Sequence, residues 1–118
     1  MSYDISLCEP VIKKVIQFDA SHHIKGRTYQ FGGSTKAYLN VTYNYSEIFY
    51  KYFGEKGIRT IYGMTGAESI LLFKNVINIL KDDETEDYWE PTEGNAKKAL
   101  YGLLAFAQLR PDGIWEGD

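Results

Sequence analysis

The only two histidines of the chain, His22 and His23, stand beside Asp19 and Ser21 in the run Asp19-Ala20-Ser21-His22-His23. One carboxylate and two imidazoles make a partial ligand set for a metal-dependent enzyme. Neighbouring residues of an extended segment point to opposite faces, so both rings reach one ion only through a bent loop. No further metal-ligand spacing follows, and a solvated loop is the better expectation. A Ser21, His22 and Asp19 triad fails for a related reason: consecutive residues rarely reach hydrogen-bond geometry with one another, and no nucleophile elbow surrounds Ser21. The sequence therefore names no catalytic residue, metal or cofactor.

Two stretches imitate phosphate sites. Gly32-Gly33-Ser34-Thr35-Lys36 has the composition of a phosphate loop in the wrong order, because its lysine follows the hydroxyls; a turn is the expectation. Gly63-Met64-Thr65-Gly66 leads into a helix whose free N–H groups suit an anion. A capping box, Thr65 with Glu68, explains the same residues without a ligand.

Between Tyr29 and Phe53 lie nine of the eighteen aromatic residues. Such a concentration builds either a tyrosine-rich core layer or a recognition surface. From Lys25 to Arg59 the same region holds six Lys or Arg against Glu47 and Glu55. Aromatic rings beside cations are what a binding module for single-stranded nucleic acid or a nucleotide needs, and the candidate residues are Lys36, Tyr38, Asn40, Tyr43, Asn44 and Lys51. A core role for most of the tyrosines competes with that reading.

From Asp82 to Glu93, seven of twelve positions are acidic. As a solvated linker this run needs no aromatic residue, yet it contains Tyr88 and Trp89. Two large rings inside an acidic rim suit a protein-binding anchor, with Asp82, Asp83, Glu84, Glu86 and Asp87 as the rim around Tyr88 and Trp89.

The net charge of −3 divides unevenly along the chain: residues 1–81 sum to +4 and residues 82–118 to −7. The two parts either neutralise each other in the fold or serve different partners. With 118 residues and 44% hydrophobic content, one domain with one core is expected over residues 1–118. Cys8 is the only cysteine, so no intrachain disulfide forms and a reducing, cytoplasmic setting is expected. The first residues lack the unbroken apolar stretch of a secretion signal, and no run approaches a membrane span.

The elements that must position these residues read as strands first and helices after. Tyr3 to Leu7 and Val15 to Phe18 form a hairpin in this reading, Thr28 to Phe31 a third strand, and Ala37 to Tyr45 a fourth. That last stretch places Tyr38, Asn40, Thr42 and Asn44 on one side and Leu39, Val41, Tyr43 and Tyr45 on the other. Ser46 is the expected N-cap of a short helix to Phe53 that ends at Gly54. Ile58 to Tyr62 is ambiguous between strand and helical turn. Longer helices are expected over about 66–80 and 93–109, each with an apolar stripe at three-and-four spacing, and Trp115 is expected to fold back onto the body. The fold class is α+β: a small antiparallel sheet from the N-terminal half, with two main C-terminal helices packed on one face.

Gly26-Arg27-Thr28-Tyr29, Gly32-Gly33-Ser34-Thr35 and the run from Leu39 to Ser46 resemble an uncharacterised family of small bacteriophage and mobile-element proteins. Gly54 to Arg59, Tyr62-Gly63, Thr65 to Ser69, Tyr88-Trp89, Thr92 to Ala96 and Arg110 to Gly113 extend the likeness over most of the chain. That family has no settled activity, so the resemblance implies a setting and transfers no catalytic residue. Small acidic proteins of this kind often bind a host protein, and interference with host defence, including CRISPR inhibition (an anti-CRISPR role), is a leading role among them. The expectation is a non-enzymatic inhibitor whose partner is a host protein, such as a nucleic-acid-binding defence component. Nucleic acid itself is the alternative partner, and no membrane is involved.

Overall fold

The alternation of apolar and polar residues in Tyr3-Asp4-Ile5-Ser6-Leu7 has the two-residue period of a half-buried strand. In the computed structural model, which describes residues 2–22 and 34–118, this stretch is the central strand of a three-stranded antiparallel sheet. Strand β1 is Ser2–Cys8, β2 is Gln17–His22, β3 is Ser34–Lys36, β4 is Tyr38–Thr42 and β5 is Ile114–Gly117. The sheet order is β4-β1-β5, and β2 pairs with β3 in a separate two-stranded ribbon. Tyr3 lies opposite Val41, Ile5 opposite Leu39, and Leu7 opposite Trp115. All six side chains are buried, so one face of the sheet is continuous core.

The expected hairpin partner of β1 is therefore only partly correct. The returning chain touches β1 through a Cys8–Val15 bridge and a bond from the Ile16 amide to the Leu7 carbonyl, then leaves to pair with β3. The longer partners of β1 come from farther along the chain, while Ile16 and Phe18 of the returning segment still pack into the core. The expected strand Thr28 to Phe31 lies outside the described residues.

Strand β4 also ends earlier than its alternation implied. The Thr42 hydroxyl accepts from the Asn44 amide and turns the chain into a 3₁₀ turn, Tyr43–Tyr45. Tyr43 and Tyr45 consequently leave the strand faces. Helix α1, Ser46–Phe53, follows directly, so Ser46 is its first residue and Tyr45 takes the cap position without a side-chain bond. The Ser46 hydroxyl is instead hydrogen-bonded to the Tyr3 phenol at 2.7 Å. Gly54 ends the helix at φ +103°, a conformation that favours glycine. The ambiguous stretch after it is a 3₁₀ helix, Gly57–Ile61.

Helices α2, Gly66–Ile79, and α3, Glu93–Leu109, lie antiparallel, with the start of α2 against Ala107, Arg110 and Pro111 at the end of α3. Phe73, Val76 and Ile77 of α2 and Ala99, Leu100, Leu103 and Ala107 of α3 join the same core as the sheet. Trp115 closes it. Its indole N–H donates to the Ser69 hydroxyl at 2.7 Å, and its ring stands edge-on to Phe73. The α+β arrangement is thus present, with one strand of the sheet contributed by the C-terminal part of the chain. Among the described residues no helix is long and apolar enough to cross a membrane.

Candidate functional site

The acidic run links α2 to α3 and has no regular secondary structure between Lys81 and Thr92. It is nonetheless built, and the builder is Asn95. This side chain is 2% exposed and spends its whole amide on the loop. Its Oδ1 accepts from the Thr85 amide at 2.9 Å, while its Nδ2 donates to the Thr85 hydroxyl and to the carbonyls of Asp87 and Glu90. A buried amide with every bond made fixes the backbone it holds.

The start of α3 adds further ties. The Thr92 hydroxyl caps the Asn95 amide, and the Asp83 carboxylate accepts from the Gly94 amide at 2.9 Å. A carboxylate at a helix N-terminus also meets the positive end of the helix dipole. The loop passes so close to Gly94 that an added Cβ would lie 2.7 Å from the Asp83 carbonyl carbon and nearer still to the Glu84 nitrogen. Lys97 pairs with Asp82 and Lys98 with Glu84, both at 2.6 Å. Glu93 accepts from the Lys81 amide and from the Tyr52 phenol, and these bonds hold its carboxyl below the ordinary carboxylate value, the Lys81 amide contributing most.

On the sheet side, Tyr88 takes the place of a further strand beside β4. Its hydroxyl accepts from the Thr42 amide at 2.9 Å and donates to the Asn40 carbonyl at 3.2 Å. Tyr45 donates to the Tyr88 carbonyl, and burial pushes the Tyr45 phenol well above its ordinary value. The Asn44 side chain donates through Nδ2 to the Trp89 carbonyl at 2.8 Å. Trp89 itself is left 45% exposed, edge-on to Tyr88, with its amide held by the Asp87 carboxylate.

The seven residues expected at a partner surface thus divide. Asp82, Asp83, Glu84, Asp87 and Tyr88 are bonded within the fold, whereas Trp89 and Glu86 are exposed and Glu86 makes no hydrogen bond or ion pair among the described residues. Glu90, not singled out in the sequence, is exposed and equally unengaged through its side chain.

The alternative set for nucleic acid is dispersed by role. Tyr38 and Asn40 lie on the outer face of the sheet, both donating to the Asp4 carboxylate, whose pKa is lowered mainly by the Tyr38 bond. An anion at the centre of that patch opposes a phosphate backbone. Tyr43 packs edge-on against Tyr3, Asn44 serves the loop, Lys51 lies over the Tyr52 ring, and Lys36 is exposed on β3.

The remaining candidates offer less. Asp19 and His22 both lie on β2, His23 is outside the described residues, and among the described residues no three His, Cys, Asp or Glu side chains gather for a metal. Gly32 and Gly33 are likewise outside, and Ser34 to Lys36 form β3. At the start of α2 the capping box is complete, and the amides of Gly66 and Ala67 donate to the carbonyls of Gly113 and Pro111. The backbone donors that an anion would need there are already used.

Asn95, Gly94 and Tyr88's role at the sheet edge escaped the sequence reading. The contacts span 5 to 11 residues for Asn95 and Gly94 and 46 to 48 for Tyr88, and no local pattern of residue types encodes them. Comparison of the chain with protein-family models, with curated proteins and with solved structures finds no match.

Proposed function

We propose that this chain is a non-enzymatic interaction protein of the mobile-element type its sequence resembles, which blocks a host macromolecule by presenting Trp89 on a fixed acidic loop to a basic protein surface. The observation that carries this reading is the exposure of Trp89 inside a loop whose backbone is held by Asn95 on one side and Asn44 on the other. Tryptophan is among the residues that dominate binding energy at interfaces, and a loop already fixed loses little entropy on docking. The unengaged carboxylates of Glu86 and Glu90 supply the rim that steers a basic partner.

The test is capture of partners from host lysate by the tagged protein, with and without nuclease, comparing the native chain with Trp89→Ala and with Glu86→Lys/Glu90→Lys. These positions avoid Asp83, whose charge reversal would disturb the start of α3. A nuclease-resistant protein held by the native chain and lost from both variants is expected. Capture unchanged in both variants sinks the loop as the surface. Recovery abolished by nuclease moves the function to nucleic acid and to Lys36, Tyr38, Asn40, Tyr43, Asn44 and Lys51.

A further inference from the structure

Arg59 lies at the opposite side of the charge ledger from the acidic loop and is surrounded by aromatic rings. Its guanidinium is 4.9 Å from the Tyr3 ring centroid and 5.8 Å from that of Tyr43, within cation–π range of both. The Nε donates to the Asp118 carboxylate at 2.8 Å, and Tyr62 donates its phenol to the other oxygen of the same carboxylate at 3.0 Å.

We propose that Arg59 and Tyr62 form a binding site for a small oxyanion, a phosphate or a carboxylate group of a small molecule, which the Asp118 side chain occupies as a built-in substitute. Three observations carry this. First, strand β5 brings the carboxylate to the pair: Gly117 passes so close to the Tyr62 ring that a Cβ there would meet it. Second, the guanidinium is under-used. Among the described residues, only Nε of its five N–H donors makes a short bond, with Nη2 reaching the Tyr43 oxygen at 3.4 Å. An oxyanion bearing more oxygens than a carboxylate fills the fork better. Third, the pair is open to exchange, since the Arg59 and Asp118 side chains are 36% and 43% exposed. Ion pairs at such exposure hold weakly enough for a solute to displace.

The site is separate from the acidic loop, so its fate is independent of the inhibitor reading. The full ¹⁵N-labelled chain is titrated with inorganic phosphate and, separately, with acetate, at constant ionic strength made up with chloride, following the Arg59 Nε–H and the amides of Gly117 and Asp118. A saturable response at these nuclei is expected. Asp118→Asn should tighten the apparent affinity about tenfold by unmasking the site, and Arg59→Gln should abolish the response. Tyr62→Phe, which keeps the ring, should weaken it. Saturation by phosphate but not acetate assigns a phosphate ligand, and the reverse a carboxylate. A response that stays linear in both the native chain and Asp118→Asn overturns the proposal, as does a saturable one that survives Arg59→Gln.

Discussion

Asn95 holds Thr85 from both ends of one amide, accepting from its backbone N–H and donating to its hydroxyl. The acidic chain from Thr85 to Glu90 is thereby folded back over the first turn of α3. Asn95→Ala removes all four of the bonds the side chain makes to the loop and leaves the Thr85 amide and two carbonyls to find water. The expected loss is about 2–4 kcal/mol of unfolding free energy, the range for breaking a buried hydrogen-bond network. Urea unfolding measures it, and amide exchange at Thr85 should accelerate even where the global fold persists. A loss within ~0.5 kcal/mol, the range of an ordinary surface substitution, would mean that the loop is held by its ion pairs instead.

Gly94 and Gly63 make a matched pair of glycines with opposite reasons for being glycine. Gly63 sits at φ +87° with open space around its Cβ position among the described residues, whereas Gly94 has no unusual φ and no room. Gly94→Ala drives a methyl group into the backbone of Asp83 and Glu84, which cannot give way like a flexible side chain. It should cost about 2 kcal/mol or more and break the bond from the Gly94 amide to Asp83. Gly63→Ala should cost only the ~1 kcal/mol of a left-handed alanine. Equal thermal shifts in the two variants would contradict this distinction.

What the sequence made legible follows from distance along the chain. Thr65 and Glu68, three residues apart, announced α2, and an apolar stripe at three-and-four spacing announced α3, because caps and amphipathic stripes are local. The α+β class followed from their order. The pairing of β1 with β5 joins Leu7 to Trp115, and no short-range pattern encodes it. In the described part of the tyrosine-rich segment, Tyr45 and Phe49 are buried and Tyr43, Tyr52 and Phe53 pack against the core, whereas Tyr38 lies on the outer face of the sheet and Tyr50 is exposed. The acidic run read as a string of like charges because its partners within the fold, Lys97, Lys98 and the Gly94 amide, are on the next helix.

The two tryptophans report on the loop without a label. Trp115 is fully buried and Trp89 is 45% exposed, so collisional quenching of fluorescence samples Trp89. Glu86, Asp87 and Glu90 surround it in sequence and are exposed. Caesium should quench at least about twofold more effectively than iodide, each scaled to free indole, at low ionic strength where the Debye length is long. Added salt should erase the difference. Equal quenching at low salt would show that the carboxylates do not set the potential at the ring.

Glu93 gives the loop a pH dependence with a definite sign. Its Oε1 accepts from the Lys81 amide at 3.0 Å and its Oε2 from the Tyr52 phenol at 2.8 Å, so the folded chain favours the charged carboxylate. The folded pKa lies below the ordinary 4.5. The contribution is therefore complete above that value and lost as the pH falls through the lower folded value. Glu93→Gln keeps one acceptor oxygen and loses the charge. At pH 7 it should be less stable by about 1 kcal/mol, the net worth of a hydrogen bond to a partly exposed group. On acidification the native chain and the variant should converge, since both side chains are then neutral. Urea unfolding of the two proteins at steps from pH 7 to about pH 3 follows the gap through this window. A gap that stays constant to the acid limit would assign the loss to the geometry of the amide, and the pH sensitivity of the fold would then have to come from another carboxylate, with Asp4 beneath Tyr38 and Asn40 the next to replace.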